Sequence, residues 1–196
     1  MNMEPTDADV RDAADMERLA AGQDAALNDL MERHATPLFH FLCRMLGNEE
    51  DANDLAQETF VRVFRARGNF RAGAKFSTWL YTIAANLARN HFRWRSRHAV
   101  VSLDGESPES EQTLGSTIPA GDAAPNEQTL VAERAGAVRA AVGRLPEDLR
   151  EAIVLCEWEE HTVAEAAAIL ETTPKAMESR LYRARQILRQ RLKSWL

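Results

Sequence analysis

HTVAEAAAILETTPKAMESRLYRARQIL, His161 to Leu188, decides what kind of fold this chain has. Thr162 can cap a short alanine-rich helix, because a threonine oxygen accepts from the free backbone N–H groups of a first turn. A turn follows at Glu171-Thr172. Thr173 then caps a second helix with Pro174 in its first position, where a missing N–H is least felt. In that second helix Met177, Leu181, Ala184, Leu188 and Trp195 fall in a narrow arc and predict a buried stripe. Lys175, Glu178, Ser179, Tyr182, Arg183 and Arg189 lie on the opposite side. A short helix and a long one about a tight turn, the second polar and basic outside, read as a helix-turn-helix facing a DNA major groove. Glu178 is the odd member: it either accepts from cytosine N4 or pairs with Tyr182 or Arg185 along the helix.

Helical spacing continues outward in both directions. Leu130 to Leu145 reads as one helix, and a helix started by Pro146 runs through Trp158. Farther upstream, apolar residues recur at helical spacing from Leu27 through Leu87, interrupted by Gly47-Asn48 and Gly68-Asn69. Phe76, Leu80, Ile83, Leu87 and Trp94 form one stripe of a long helix from Lys75 to His98, and no strand alternation of useful length occurs. Between the halves, residues 102–129 hold three glycines, three prolines and four serines, with little that builds a core. That segment reads as a flexible acidic linker, able to span at most roughly 90 Å at full extension. The expectation is an all-α chain of two small helical domains, residues 21–101 and 130–196, with residues 1–20 a disordered extension.

Charge points to a partner class. The 196 residues are 45% hydrophobic and 28% charged, with a net charge of -6, but the charges are segregated. Residues 62–103 carry nine basic side chains and no acidic one, residues 104–133 seven acidic and no basic, and residues 172–196 seven basic against Glu178 alone. Phosphate neutralisation is local, so two basic faces around an acidic spacer suit nucleic acid despite the negative total. Solvated helix faces are the other reading of charge taken alone. No apolar run reaches membrane-spanning length and the acidic start lacks the pattern of a signal peptide, so a cytoplasmic protein is expected. Cys43 and Cys156 have no zinc-type spacing and read as free buried thiols; no metal or cofactor is expected.

The order of segments then carries a resemblance. EEDANDLAQETFVRVFRA (Glu49 to Ala66), NFRAGAKFSTWLYTIAANLARNHFRWRSR (Asn69 to Arg97), an acidic linker, LPEDLREAIVLCEWEEHTVAEAAAIL and SRLYRAR closely resemble the bacterial extracytoplasmic-function sigma factors of the sigma-70 family. That resemblance implies two domains, sigma regions 2 and 4, that direct RNA polymerase to promoters and help to melt the -10 region. It implies that Asp51, Asp54, Leu55, Gln57, Glu58 and Val61 meet a coiled coil of the largest polymerase subunit, with region 4 on the polymerase flap. It implies that Asn69, Phe70, Arg71, Gly73, Lys75, Phe76, Trp79, Asn86, Asn90, Arg93 and Arg97 handle the -10 element, whose unstacked base the loop captures. Lys175, Glu178, Ser179, Tyr182, Arg183 and Arg189 would read the -35 element as duplex. An anti-sigma protein, with which the chain can be held near the membrane, is the implied regulator.

Departures from the family pattern also stand in the sequence. Asn53 occupies a usual acid, Glu171 and Glu160 stand where glycine is common, and Pro174, Lys175 and Ala176 replace a valine-glycine-threonine. A stand-alone dimeric helix-turn-helix regulator with a sensing first half is the alternative, and it would bind duplex without polymerase. An enzyme is disfavoured: the five histidines are scattered, and neither a nucleophile-base spacing nor a glycine-rich phosphate loop occurs.

Overall fold

A computed structural model of the protein describes residues 6–71, 73–101 and 127–195. The chain order is α1 (Asp7–Ala20), α2 (Ala26–Leu46), α3 (Glu49–Arg65), a 3-10 turn (Arg67–Asn69), α4 (Phe76–Val101), α5 (Glu127–Gly143), α6 (Glu147–Glu157), α7 (Val163–Ile169) and α8 (Pro174–Arg191). The described residues contain no strand, as expected. The flexible-linker expectation falls mostly on residues 102–126, outside the described residues; its last three, 127–129, open α5.

Local chemistry sets the boundaries. Gly47 ends α2 in the left-handed region at φ 71°, and Asn48 starts α3 by accepting from the Asp51 N–H at 3.0 Å. Thr162 and Glu165 form a reciprocal capping box on α7, and Thr173 caps α8 with Pro174 in its first turn. Pro146 is displaced by one position, since its extended backbone (ψ 146°) makes it the residue before α6 rather than the first within it, and the helix expected over Leu130 to Leu145 runs from Glu127 to Gly143.

Residues 7–20 correct the expectation of a disordered extension. Thr6 and Asp9 form a capping box, and α1 buries Met16 and Leu19 completely or nearly so. Its buried acids are paired to α2. Asp12 accepts from Arg33 Nε at 2.9 Å and lies 2.7 Å from His34 Nε2, while Asp15 binds Arg33 Nη2 at 2.5 Å. These partners hold the Asp12 carboxyl below its ordinary value although burial alone would raise it.

The first half packs α1 to α4 around Leu30, Leu38, Phe41, Leu42, Met45, Phe60, Val63 and Leu80; the second packs α5 to α8 around Leu149, Val154, Leu155, Ile169, Met177 and Leu181. The two cores are continuous. α6 and α5 lie against α2, and α7 lies against α4.

Two stripe members fall outside these cores. Trp94 stands 18 residues after Phe76 and Trp195 stands 18 after Met177, five full turns in each case, so helical phase alone puts them with the buried residues. Trp94 is 54% exposed and Trp195 40% exposed. The direction was right and the depth was not: α4, at about 39 Å, outruns the roughly 26 Å of α3 beside it, and Trp195 lies beyond the end of α8.

Candidate partner and nucleic-acid interfaces

On α3, Asp54, Gln57, Glu58 and Val61 sit at i, i+3, i+4 and i+7 and share one outward arc. Asp54 and Gln57 are exposed and Val61 is 40% exposed; Glu58 accepts from Arg62 Nε at 2.8 Å. Leu55 turns inward onto the core. Asp51 also departs from the arc, since its carboxylate lies 3.3 Å from His91 Nε2 and 3.9 Å from Arg95 Nη1 on α4. The face available to a partner is therefore narrower than the six residues expected.

The loop before α4 and the helix itself make a second face. Asn69 and Arg71 are exposed, and Gly73 turns the loop with φ at 81°. Behind them Phe70, Phe76 and Trp79 form a cluster, with centroids 5.4 Å apart for Phe70–Trp79 and 6.2 Å for Phe70–Phe76. Phe76 is 1% exposed, which corrects its expected DNA contact: it supports the aromatic wall from beneath. Phe70 and Trp79 are half-buried. Along α4, Asn90, Arg93 and Arg97 are exposed, whereas the half-buried Asn86 already accepts from Arg89 Nη2 at 2.8 Å. Arg97 folds back, its Nε 3.2 Å from the Arg93 carbonyl.

Trp94 joins this face unexpectedly. Its ring stacks on His98 with centroids 4.2 Å apart at 29°, and the His98 Nδ1 lies 2.8 Å from the Trp94 carbonyl. One face of the indole is covered and the rest is open among arginines. The signal was present in the RWRSRH run, but stripe periodicity outweighed it.

The third face is α8. Lys175, Glu178, Ser179, Tyr182, Arg183 and Arg189 are all exposed, and Tyr182 is 65% exposed. Arg185, one offered partner of Glu178, instead donates to Glu157 at 2.6 Å, and Glu178 makes no ion pair among the described residues. The turn before α8 carries Glu171 at φ 52°, and Glu160 before α7 has φ 55°; both glycine departures thus occupy left-handed backbone.

A set of residues, of which sequence reasoning singled out Lys75 alone and for a different role, joins the halves. Glu159 accepts from Arg44 Nη1 at 3.0 Å and from the Tyr81 hydroxyl at 2.7 Å. Glu165 accepts from Lys75 Nζ at 3.0 Å, and Asp9 of α1 lies 3.9 Å from the same nitrogen. Arg150 donates to the Met45 carbonyl at 2.6 Å, and His161 stands edge-on to Tyr81. Burial, then Glu159, hold the Tyr81 phenol far above its usual range, and burial lowers His161 so that it stays neutral. Burial would raise Glu165, but bonds from Thr162 and Lys75 bring it below the ordinary carboxylate value.

Glu151 is the exception in this set. It is 3% exposed, and Arg89 Nε lies 3.4 Å from its Oε1 without hydrogen-bond geometry. The burial and the nearby cation pull in opposite directions, and burial wins: the carboxyl is pushed up to about 7. Cys43 and Cys156 are free and half-buried, with thiols raised by burial, and no group of three or more metal-ligating side chains occurs among the described residues. No described helix is long and apolar enough to cross a membrane.

Known proteins share this arrangement. Residues 30–98 match Sigma-70 region 2 and residues 135–188 match Sigma-70, region 4. The RNA polymerase sigma-H factor of Pseudomonas aeruginosa is 32% identical over 177 residues, 88% of this chain and 89% of that one. The ECF RNA polymerase sigma factor SigW of Bacillus subtilis is 31% identical over 91% of this chain and 95% of its own length. Among solved structures, CnrH in complex with the cytosolic domain of CnrY has a TM-score of 0.67 at 25% identity, over 94% of this chain and 98% of that one. The sigma factor RpoE of Bartonella quintana, in complex with the anti-sigma factor NepR, has a TM-score of 0.66 at 27% identity, over 85% of this chain and 96% of that one. With both regions matched in order, and relatives of this similarity along nearly the whole chain, the protein belongs to the sigma-70 family, in its extracytoplasmic-function group.

Proposed function

We propose that this sigma factor docks on RNA polymerase through the α3 arc of Asp54, Gln57, Glu58 and Val61, opens -10 DNA on the α4 face, and reads -35 duplex with α8. The observation that carries the reading is the separation of three exposed faces of different chemistry: acidic on α3, basic and aromatic on α4, basic with hydrogen-bonding groups on α8. On α4 the exposed arginines follow phosphates and Asn90 offers both donor and acceptor to base edges. Phe70, Trp79 and the open face of Trp94 suit unstacked bases, each stacking contact being worth roughly 1–3 kcal/mol. Extruding a base costs a few kcal/mol, so melting takes the loop, the helix and polymerase together. Nothing in this assignment makes or breaks a bond, and the chain acts as a specificity subunit rather than an enzyme.

The neighbours CnrH and RpoE are bound to CnrY and NepR, and a comparable anti-sigma protein is the regulator proposed here, acting in the cytoplasm. Equilibrium binding of the labelled chain to core polymerase tests the docking arc. Tight binding that an Asp54→Arg, Gln57→Arg variant loses by tenfold or more supports the reading. Absence of core binding with retained duplex affinity returns the stand-alone regulator.

A further inference from the structure

We infer that α1, through Asp12 and His34, positions the aromatic wall on which an unstacked base of the -10 element rests, so that a helix outside both matched regions takes part in DNA recognition. The inference rests on the -10 role proposed for Phe70 and Trp79. Its first observation is a continuous chain of contacts from α1 to that wall. Asp12 is 2% exposed, and its two oxygens are divided between neighbours on α2: Oδ1 accepts from Arg33 Nε at 2.9 Å, and Oδ2 lies 2.7 Å from His34 Nε2. An ionised carboxylate can only accept, so His34 donates through Nε2 and its ring is fixed in rotation. That ring meets Phe76 edge-on, with centroids 5.1 Å apart at 62°. Phe76 in turn carries Phe70 at 6.2 Å and Trp79 at 6.3 Å.

The second observation is that α1 reaches the loop before α4 at both ends. It packs on the 3-10 turn Arg67–Asn69, from which Phe70 emerges. At the far end Asp9 Oδ1 lies 3.9 Å from Lys75 Nζ, a nitrogen that also donates to Glu165. Asp9 is aimed by its own capping box: Thr6 N–H and Oγ1 donate to Oδ2 at 2.9 and 2.7 Å, which leaves Oδ1 toward the loop.

The third observation is the choice of residue. An apolar side chain at position 12 would anchor α1 by burial as well as an ion pair does. What a carboxylate adds is control over the direction of an imidazole, which burial does not give. A stacking site needs its rings held to within about 0.5 Å by neighbours whose own rotamers are locked. Phe70 and Trp79 are half-buried, and the ring common to both is Phe76, 1% exposed and set against His34. Asp12 is thus a positioning residue: it touches no base and acts through His34 and Phe76.

The test uses the full chain bound to core polymerase, with core polymerase alone as the blank. The probes are two single-stranded DNAs of equal length, one of random sequence and one abasic throughout. Their affinity ratio reads base stacking, and it cancels both phosphate contacts and the folded fraction. Wild type should prefer the intact strand by about tenfold or more. His34→Gln keeps a donor for Asp12 but removes the ring beside Phe76, and should cut the ratio by about fivefold while abasic binding stays the same. Asp12→Ala frees the ring and should cut the ratio similarly; where that variant is too unstable to measure, His34→Gln decides. Asp15→Asn is the control, because it weakens the same helix through Arg18 and Arg33 without touching His34, and should keep the wild-type ratio. An unchanged ratio in His34→Gln or in Asp12→Ala overturns the inference. An equal fall in Asp15→Asn also overturns it, since α1 would then act as a stabiliser alone. A wild type with no preference for intact bases would instead bring down the -10 reading, and the inference with it.

Discussion

Glu171 and Glu160 place acidic side chains on left-handed backbone, a conformation that disfavours any residue with a Cβ by about 1–2 kcal/mol. Replacing either with glycine relieves that strain and gives back part as unfolded-chain entropy. Each single change is expected to raise unfolding free energy by about 1 kcal/mol in denaturant titration. Glu151 provides a pH dependence. Its folded-state value of about 7 exceeds the ordinary 4.5, so the folded chain takes up a proton that the unfolded chain does not hold between those values. Stability contributed by this group is present below about pH 4.5 and is lost as pH rises through about 7. Arg89 of α4, Glu147 and Asp148 of α6 and Arg180 of α8 surround it, and His161, kept neutral by burial, acts with the opposite sign below 6.5. Comparison with Glu151→Gln isolates the group: the variant should gain on wild type by about 2–3 kcal/mol between pH 5 and pH 8. A constant difference across that range would mean that Arg89 keeps Glu151 ionised throughout.

α1 shows what a helix outside both matched regions contributes. Asp12→Ala leaves Arg33 and His34 without their buried partner, and should lower stability by about 2–4 kcal/mol. Hydrogen exchange is expected to quicken first in residues 7–20. Sequence periodicity missed α1 because two of its four buried side chains are aspartates, Asp12 and Asp15, so its inner face looks polar until the facing Arg33 is known. α4 illustrates the opposite error. Its stripe was legible as far as Leu87, whereas Trp94 is exposed, on a part of the helix that carries no buried core residue. Trp94→Ala should therefore leave thermal stability within about 0.5 kcal/mol while weakening single-stranded DNA binding several-fold, by filter binding or anisotropy. Caps and turns, in contrast, could be placed from Thr162, Thr173, Asn48 and Gly47, because each acts through its own backbone.

At the scale of the whole molecule, the sequence revealed two helical halves, and segregated charge marked both basic faces. It did not reveal that the halves meet, because the contact is made from single residues, Arg44, Tyr81, Glu159 and Glu165, each of which reads locally as ordinary surface or core. Their partners lie between 78 and 115 residues away along the chain, beyond any periodic signal. Because the cores are continuous, heat or denaturant should unfold the wild type in one transition, and removing the Glu159 and Glu165 contacts between the halves should separate it into two, seen by calorimetry. Cys43 extends this point. It lines a cavity of about 620 Å³ between α2 and α5 together with Trp158, at the seam of the halves. A half-buried thiol held above its ordinary value reacts slowly with an alkylating reagent until its surroundings part. The native chain thus carries its own stopwatch: the rate at which Cys43, resolved from Cys156 by peptide mapping, is labelled counts how often the seam parts.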